Sequence, residues 1–275
     1  MHGIERRCRT RVAFAVTLVL AGLVTPALAS ARSKSAIARR PSAPKSSTGR
    51  PSSSAVVGVT IQPYAPLGVD PEANVPAATT VAAVRGTAIG VYATPTDARP
   101  KWTLDNQTNF SGRHVFVVLA SQGDWLKVEV PVRPNGTVGF VRTSDVTLSS
   151  HDFAIVVSLS AKRLTLYKSG QAVLQESVGV GKASTPTPVG TFFLRELAQT
   201  RNPRGSYGPY AFGLSGYSNV LDRFGRGDGQ IGLHGTNRPD LLGTPVSHGC
   251  IRIRNETITR LARTLPQGVP IDVRL

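Results

Sequence analysis

Only one stretch in the second half of this chain holds a helical period. In Asn255 to Leu265, the residues Ile258, Leu261, Ala262 and Leu265 recur at spacings of three and four, which places them on one face of a helix. The sequence around it reads differently. Short apolar or alternating runs are broken again and again by Gly, Pro, Asn or Ser: Phe153–Leu159, Arg163–Tyr167, Ala172–Glu176, Val178–Gly181, Thr191–Leu194 and a last run, Val269–Val273. The chain carries 27 Gly and 20 Pro but only 6% aromatic residues, a mix that favours short strands and many turns over long helices. The expectation is a mainly β protein with one helix in its C-terminal region.

The segment before it has the same texture. Thr80–Val84, Thr87–Tyr92, His114–Leu119, Trp125–Val130 and Thr137–Val141 are strand candidates, and Asn135-Gly136 is a tight-turn signal between the last two. Their order, with Gly123-Asp124-Trp125-Leu126-Lys127-Val128 ahead of Gly139-Phe140-Val141, resembles a bacterial SH3-like module over residues 79–149. Such a unit would be a small barrel that binds or positions, or a spacer packed on the C-terminal part of the chain. His114, beside an apolar run, reads as a structural histidine.

The N-terminus has another character. Arg6, Arg7, Arg9 and Arg11 precede an apolar run from Val12 to Val24, and Ala27-Leu28-Ala29 offers small residues for cleavage after Ala29. That is the pattern of a signal peptide over residues 1–29, with an apolar run too short for a comfortable membrane span of about 20 residues. Residues 30–78 are expected to form a basic tether rich in Ser, Pro and Ala. Its first part lacks aromatic and acidic residues and cannot bury enough apolar surface to offset its ordering entropy. Export to a periplasm or cell wall is the resulting expectation, without a stable membrane span. Losing the leader would lower the net charge from +16 to +13. Such charge suits an anionic polymer of the wall, and it also suits plain solvation. A nucleic-acid partner would explain the charge but not the leader, and the middle segment lacks a basic-aromatic strand surface.

Of the two cysteines, Cys8 lies in the leader, so the processed chain would keep Cys250 alone and form no internal disulfide. Cys250 sits in Ser247-His248-Gly249-Cys250-Ile251-Arg252, downstream of Ile231-Gly232-Leu233-His234-Gly235-Thr236-Asn237. A thiol acts as a nucleophile in its thiolate form, and a neighbouring imidazole can supply the base. His248 and His234 both qualify by position; an extended segment would place His248, Cys250 and Arg252 on one face. Gly249 would let backbone N–H groups near Cys250 approach a developing oxyanion, and the Gly235 carbonyl would orient an imidazole at His234. Two histidines and the thiol could also be read as zinc ligands, but two ligands one residue apart suit a tetrahedron poorly and no carboxylate stands near to support them. Gly179-Val180-Gly181-Lys182 is no phosphate loop: Glu176 stands where the first glycine belongs, and Ala183 comes directly after the lysine.

The two site segments together resemble the signature of the L,D-transpeptidase (YkuD) family. Thr185-Pro186-Thr187-Pro188-Val189-Gly190-Thr191-Phe192 and Gly208-Pro209-Tyr210-Ala211-Phe212 support the resemblance, which covers residues 152–275. It implies a β-rich catalytic domain that needs no cofactor and no metal. Its substrates would be peptidoglycan stem peptides, cut after the third residue and joined to the amine of another stem through a Cys250 thioester. L,D-carboxypeptidase action, with water as acceptor, and a wall-binding module without catalysis are the alternatives. The resemblance implies His234 as base, which spacing alone does not decide against His248. Arg252, Ser247, Tyr210 and Asn237 are the candidate substrate-binding residues, and Tyr207, Tyr210, Phe212 and Tyr217 a candidate lid, with core packing the equal alternative for Phe212. Gly235 departs from members that carry Ser there.

Overall fold

The computed structural model describes residues 75–108, 112–225 and 227–275. The expected leader, and the tether up to residue 74, lie outside the described residues.

The described N-terminal part is built from seven strands: β1 (Thr79–Val84), β2 (Ala88–Val91), β3 (Trp102–Asp105), β4 (Val115–Gln122), β5 (Trp125–Glu129), β6 (Val138–Arg142) and β7 (Val146–His151). Five of them make an antiparallel sheet in the order β6-β5-β4-β1-β7, and β2 pairs with β3 as a hairpin. Alternation decides which faces meet. Leu126 and Val128 of β5, Val141 of β6, Ala82 and Val84 of β1 and Ile89 and Val91 of β2 point into one buried cluster with Phe116, while Lys127 and Arg142 face away from it.

The C-terminal part contributes β8 (Phe153–Ser158), β9 (Arg163–Lys168), β10 (Gln171–Ser177), β11 (Val180–Gly181), β12 (Gly190–Gln199), β13 (Tyr210–Tyr217), β14 (Gln230–His234), β15 (Pro245–Ser247), β16 (Ile251–Arg252), α1 (Asn255–Thr264) and β17 (Pro270–Arg274). Eight form one sheet in the order β10-β9-β8-β17-β12-β13-β14-β16. The last strand of the chain therefore lies in the middle of the sheet, parallel to β8 and antiparallel to β12. α1 covers one face: Ile258 and Leu261 join Phe212, Leu214, Leu233, Ile251 and Ile271 in the larger core. Each such apolar side chain contributes about 1.5–3 kcal/mol on leaving water.

The fold is mainly β with one α-helix among the described residues, as expected. One expectation fails. Tyr210, Phe212 and Tyr217 belong to β13, an interior strand of the eight-stranded sheet, and form no lid. Phe212 is core, and the Tyr217 hydroxyl donates to the Pro131 carbonyl, 2.9 Å away across to the N-terminal part. Glu129, at the end of β5, accepts a hydrogen bond of 2.7 Å from Ser215 Oγ on β13. Polar groups therefore join the two sheets where both are buried.

Candidate active site

The site grows out of the far edge of the sheet. β14 ends on His234, and β16 runs parallel beside it with His234 opposite Arg252. The turn after His234 is tied down from three sides. Gly235 N–H donates to the Tyr210 carbonyl (3.2 Å), Ile253 N–H to the His234 carbonyl (2.9 Å) and Thr236 N–H to Asn255 Oδ1 (2.8 Å) at the start of α1. The packing explains why Gly stands at 235: a Cβ there would collide with Asn255 Oδ1 and lie 3.0 Å from Gly208 Cα.

This frame fixes the imidazole. His234 Nδ1 lies 2.6 Å from the Gly235 carbonyl oxygen. A carbonyl can only accept, so Nδ1 carries the proton and Nε2 keeps its lone pair. His234 is 3% exposed. Burial depresses its pKa to about 4, the Gly235 carbonyl opposes that shift and the Arg252 charge adds to it. At neutral pH the ring is a neutral base.

Cys250 sits on the loop between β15 and β16. That loop is not an extended strand: Gly249 has φ +119°, and a Cβ there would also meet Ile231 Cδ1 at 2.8 Å. The segment therefore bends at 248–249 instead of running extended, yet His248, Cys250 and Arg252 still line one cavity. Ser247 holds the turn. Its Oγ donates to the Cys250 carbonyl (2.6 Å) and accepts from Gly249 N–H (3.0 Å), so the Gly249 N–H is engaged within the loop. The Thr-Pro-Thr-Pro segment supports it from behind, with Thr185 Oγ1 donating to the Ser247 carbonyl (3.2 Å).

Gly232 N–H points at Cys250 Sγ, 3.4 Å away. A methyl group at Gly232 would lie 3.8 Å from that sulfur and 3.9 Å from His234 Cδ2, so thiol and imidazole border one small space. Burial raises the thiol pKa, while the Gly232 N–H and the Arg252 charge act against that. The resting pair is thus a neutral thiol beside a neutral imidazole.

Two adjoining cavities of about 200 and 560 Å³ open over this pair, and Tyr207, Phe224, Gln230, Ile231, His234 and Cys250 border both. The smaller is also lined by Ser247, His248 and Arg252. His248 is exposed, with its ring 5.1 Å from that of Phe224. Arg252 Nε is buried without a hydrogen-bond partner. Tyr210 and Asn237 border neither cavity; Tyr210 packs against the core and Asn237 is exposed. Tyr207 does border them, its ring 4.5 Å from that of His234. Phe224, Gly232 and Asn255 have no role on sequence grounds. Their parts are a ring against His248, a backbone N–H aimed at Cys250 Sγ and a side-chain acceptor for Thr236 N–H, contacts between residues far apart in the chain that leave no local pattern. Among the described residues no three His, Cys, Asp or Glu side chains are grouped as metal ligands, and no helix is long and apolar enough to cross a membrane.

Fold and site together describe a β-sheet protein that places a thiol and a neutral imidazole at one sheet edge. The profile of the YkuD L,D-transpeptidase catalytic domain matches residues 152–273. A Bacillus subtilis protein, YkuD, whose name places it among the L,D-transpeptidases, is 35% identical over 121 residues, 44% of this chain and 65% of its own. A second from the same organism, YqjB, similarly named, is 30% identical over 123 residues, 42% of this chain and 68% of its own. A crystal structure of an Enterococcus faecium L,D-transpeptidase is similar at 22% identity and a TM-score of 0.36, over 44% of this chain and 49% of that one. The chain belongs to the YkuD family of L,D-transpeptidases. It spans 65% of the length of its Bacillus YkuD relative.

Proposed function

We propose that this protein is an exported cysteine acyltransferase that cross-links peptidoglycan stem peptides through a thioester at Cys250. The observation that carries the reading is the anchored imidazole: Nδ1 of His234 is committed to the Gly235 carbonyl, and its ring borders the same small space as Cys250 Sγ.

In this reading His234 Nε2 takes the thiol proton as sulfur attacks the carbonyl of the third stem residue. The imidazolium then returns the proton to the amine of the departing D-alanine as the C–N bond breaks, leaving the thioester. An acceptor amine attacks in turn, His234 takes its proton, and the Cys250 thiolate leaves and is reprotonated. Since the thiol lies high and the imidazole low, proton transfer accompanies attack rather than preceding it. Arg252 favours each state in which the sulfur is negative. The N-terminal unit would serve as an SH3-like positioning module, and residues 1–29 as the export signal.

The test is incubation of the processed chain with disaccharide-tetrapeptides, then mass spectrometry. Cross-linked dimers that vanish in Cys250→Ser are expected. Tripeptide without dimer would mean that water is the acceptor. Absence of any Cys250 acyl adduct would sink the proposal.

A further inference from the structure

The connection between β5 and β6 belongs to the N-terminal sheet, yet its side chains reach into the wall of the cavity over Cys250. Arg133 Nη1 donates to the Ser218 carbonyl (2.6 Å), and Nη2 donates to the carbonyls of Leu221 (3.0 Å) and Asp228 (3.0 Å). One guanidinium thus binds both the way out of β13 and the way into β14. Beside it, Asn135 Nδ2 donates to the Tyr217 carbonyl (2.8 Å) and Asn135 Oδ1 accepts from Tyr217 N–H (2.9 Å). The guanidinium lies 5.0 Å from the centre of the Tyr217 ring.

These contacts land on the cavity wall. Ser218, Leu221 and Gly229 line the smaller cavity with Cys250 and His234. Gly229 has φ +78°, and a Cβ there would collide with the Leu221 carbonyl oxygen and lie 2.8 Å from Arg133 Nη2. The wall is therefore shaped to admit the guanidinium. Three carbonyls that would otherwise need water are satisfied by a donor from the other sheet's β5–β6 connection.

We infer that Arg133 is a positioning residue of the active site: through Ser218, Leu221 and Asp228 it holds the wall against which the peptide substrate binds, and Asn135 assists it. This makes the N-terminal sheet a structural part of the catalytic pocket. The inference rests on the reading of that pocket as the site of acyl transfer.

The experiment compares the wild-type chain with Arg133→Ala, Arg133→Lys and Asn135→Ala in three measurements: hydrogen exchange, alkylation of Cys250 by iodoacetamide and steady-state kinetics on disaccharide-tetrapeptides. In Arg133→Ala, amides of Ser218–Leu221 and Asp228–Gln230 should exchange about tenfold faster, with β8 and β9 unchanged, since a local set of charge-assisted bonds is lost. KM should rise about tenfold with kcat within about twofold, because binding geometry and not the thiol–imidazole pair is disturbed. Arg133→Lys should recover part of both, since an ammonium can serve fewer of the three carbonyls. Unchanged exchange at these amides, unchanged KM despite faster local exchange, or faster exchange spread evenly over both sheets would each overturn the inference. If wild-type protein does not turn over tetrapeptides, the proposed function fails separately. The clamp is then judged by exchange and alkylation: a changed alkylation rate with local exchange supports it, and an unchanged rate overturns it.

Discussion

His114 and His234 are both buried, at 4% and 3% exposure, and burial lowers the pKa of each to about 4. Only one stands at a site. His114 Nε2 lies 3.4 Å from Arg195 Nη2; a guanidinium only donates, so that nitrogen accepts and Nδ1 carries the proton, buried without a hydrogen-bond partner. Its lone pair is spent on Arg195, and it lines neither cavity over Cys250. In His234 the arrangement is reversed. The proton-bearing nitrogen is committed to a carbonyl and the ring borders a cavity together with a thiol. A depressed pKa therefore marks burial in both places. Function is marked by where the remaining lone pair and the open space lie.

The largest test of that contrast is kinetic. Cys250→Ser should form no acyl adduct, and His234→Ala should slow acylation ~10²–10⁴-fold, the usual range for a lost general base. His114→Gln should leave acylation within about twofold. A comparable loss in both histidine variants, read by mass-spectrometric time courses, would erase the distinction.

Stability against pH should show what the two histidines share. A histidine held near 4 when folded binds fewer protons than in the unfolded chain between pH 4 and 6.5, so stability falls as pH drops through that window. For His234 the loss is about 3 kcal/mol, and His114, held near the same value, shifts stability in the same direction. Glu129 opposes them. Burial raises its pKa to about 7 against the Ser215 hydrogen bond, so the folded state binds more protons between pH 4.5 and 7 and stability falls as pH rises there. Urea midpoints across pH 4–8 should flatten on the acid side in His234→Gln and on the neutral side in Glu129→Gln. Curves parallel to wild type would show that these groups do not titrate as described.

Packing offers a smaller test. Gly235→Ala pushes a methyl into Asn255 Oδ1 and should cost about 1–3 kcal/mol in urea denaturation, with slower acylation because the His234 anchor shifts. Only a modest effect is expected of His248→Ala, less than about tenfold on acylation, since that ring is exposed against Phe224. A loss equal to that of His234→Ala would reassign the base.

Local pattern makes much of this molecule legible. The helix expected over Asn255 to Leu265 is found at Asn255–Thr264, and strands such as Phe153–Ser158 and Trp125–Glu129 lie where an apolar run and an alternating one put them. Pattern misses β13 as a strand because Gly213 and Gly216 interrupt its apolar run and its aromatic residues read as a surface feature. Spacing does not show the bend at residues 248–249, because the positive φ of Gly249 leaves no trace in it.

By itself the sequence determined the elements, the family signature and the chemical kinds present: one thiol, two nearby imidazoles and a guanidinium within about twenty residues. It did so because side-chain periodicity and motif spacing are local properties of the chain. Tertiary structure decided which imidazole is anchored, that Tyr207 and not Tyr210 borders the cavity, and that Arg133 braces a wall 85 residues away in sequence. Those outcomes depend on which strands become neighbours and on which carbonyls they leave facing a donor, and pairings over such distances leave no period to read.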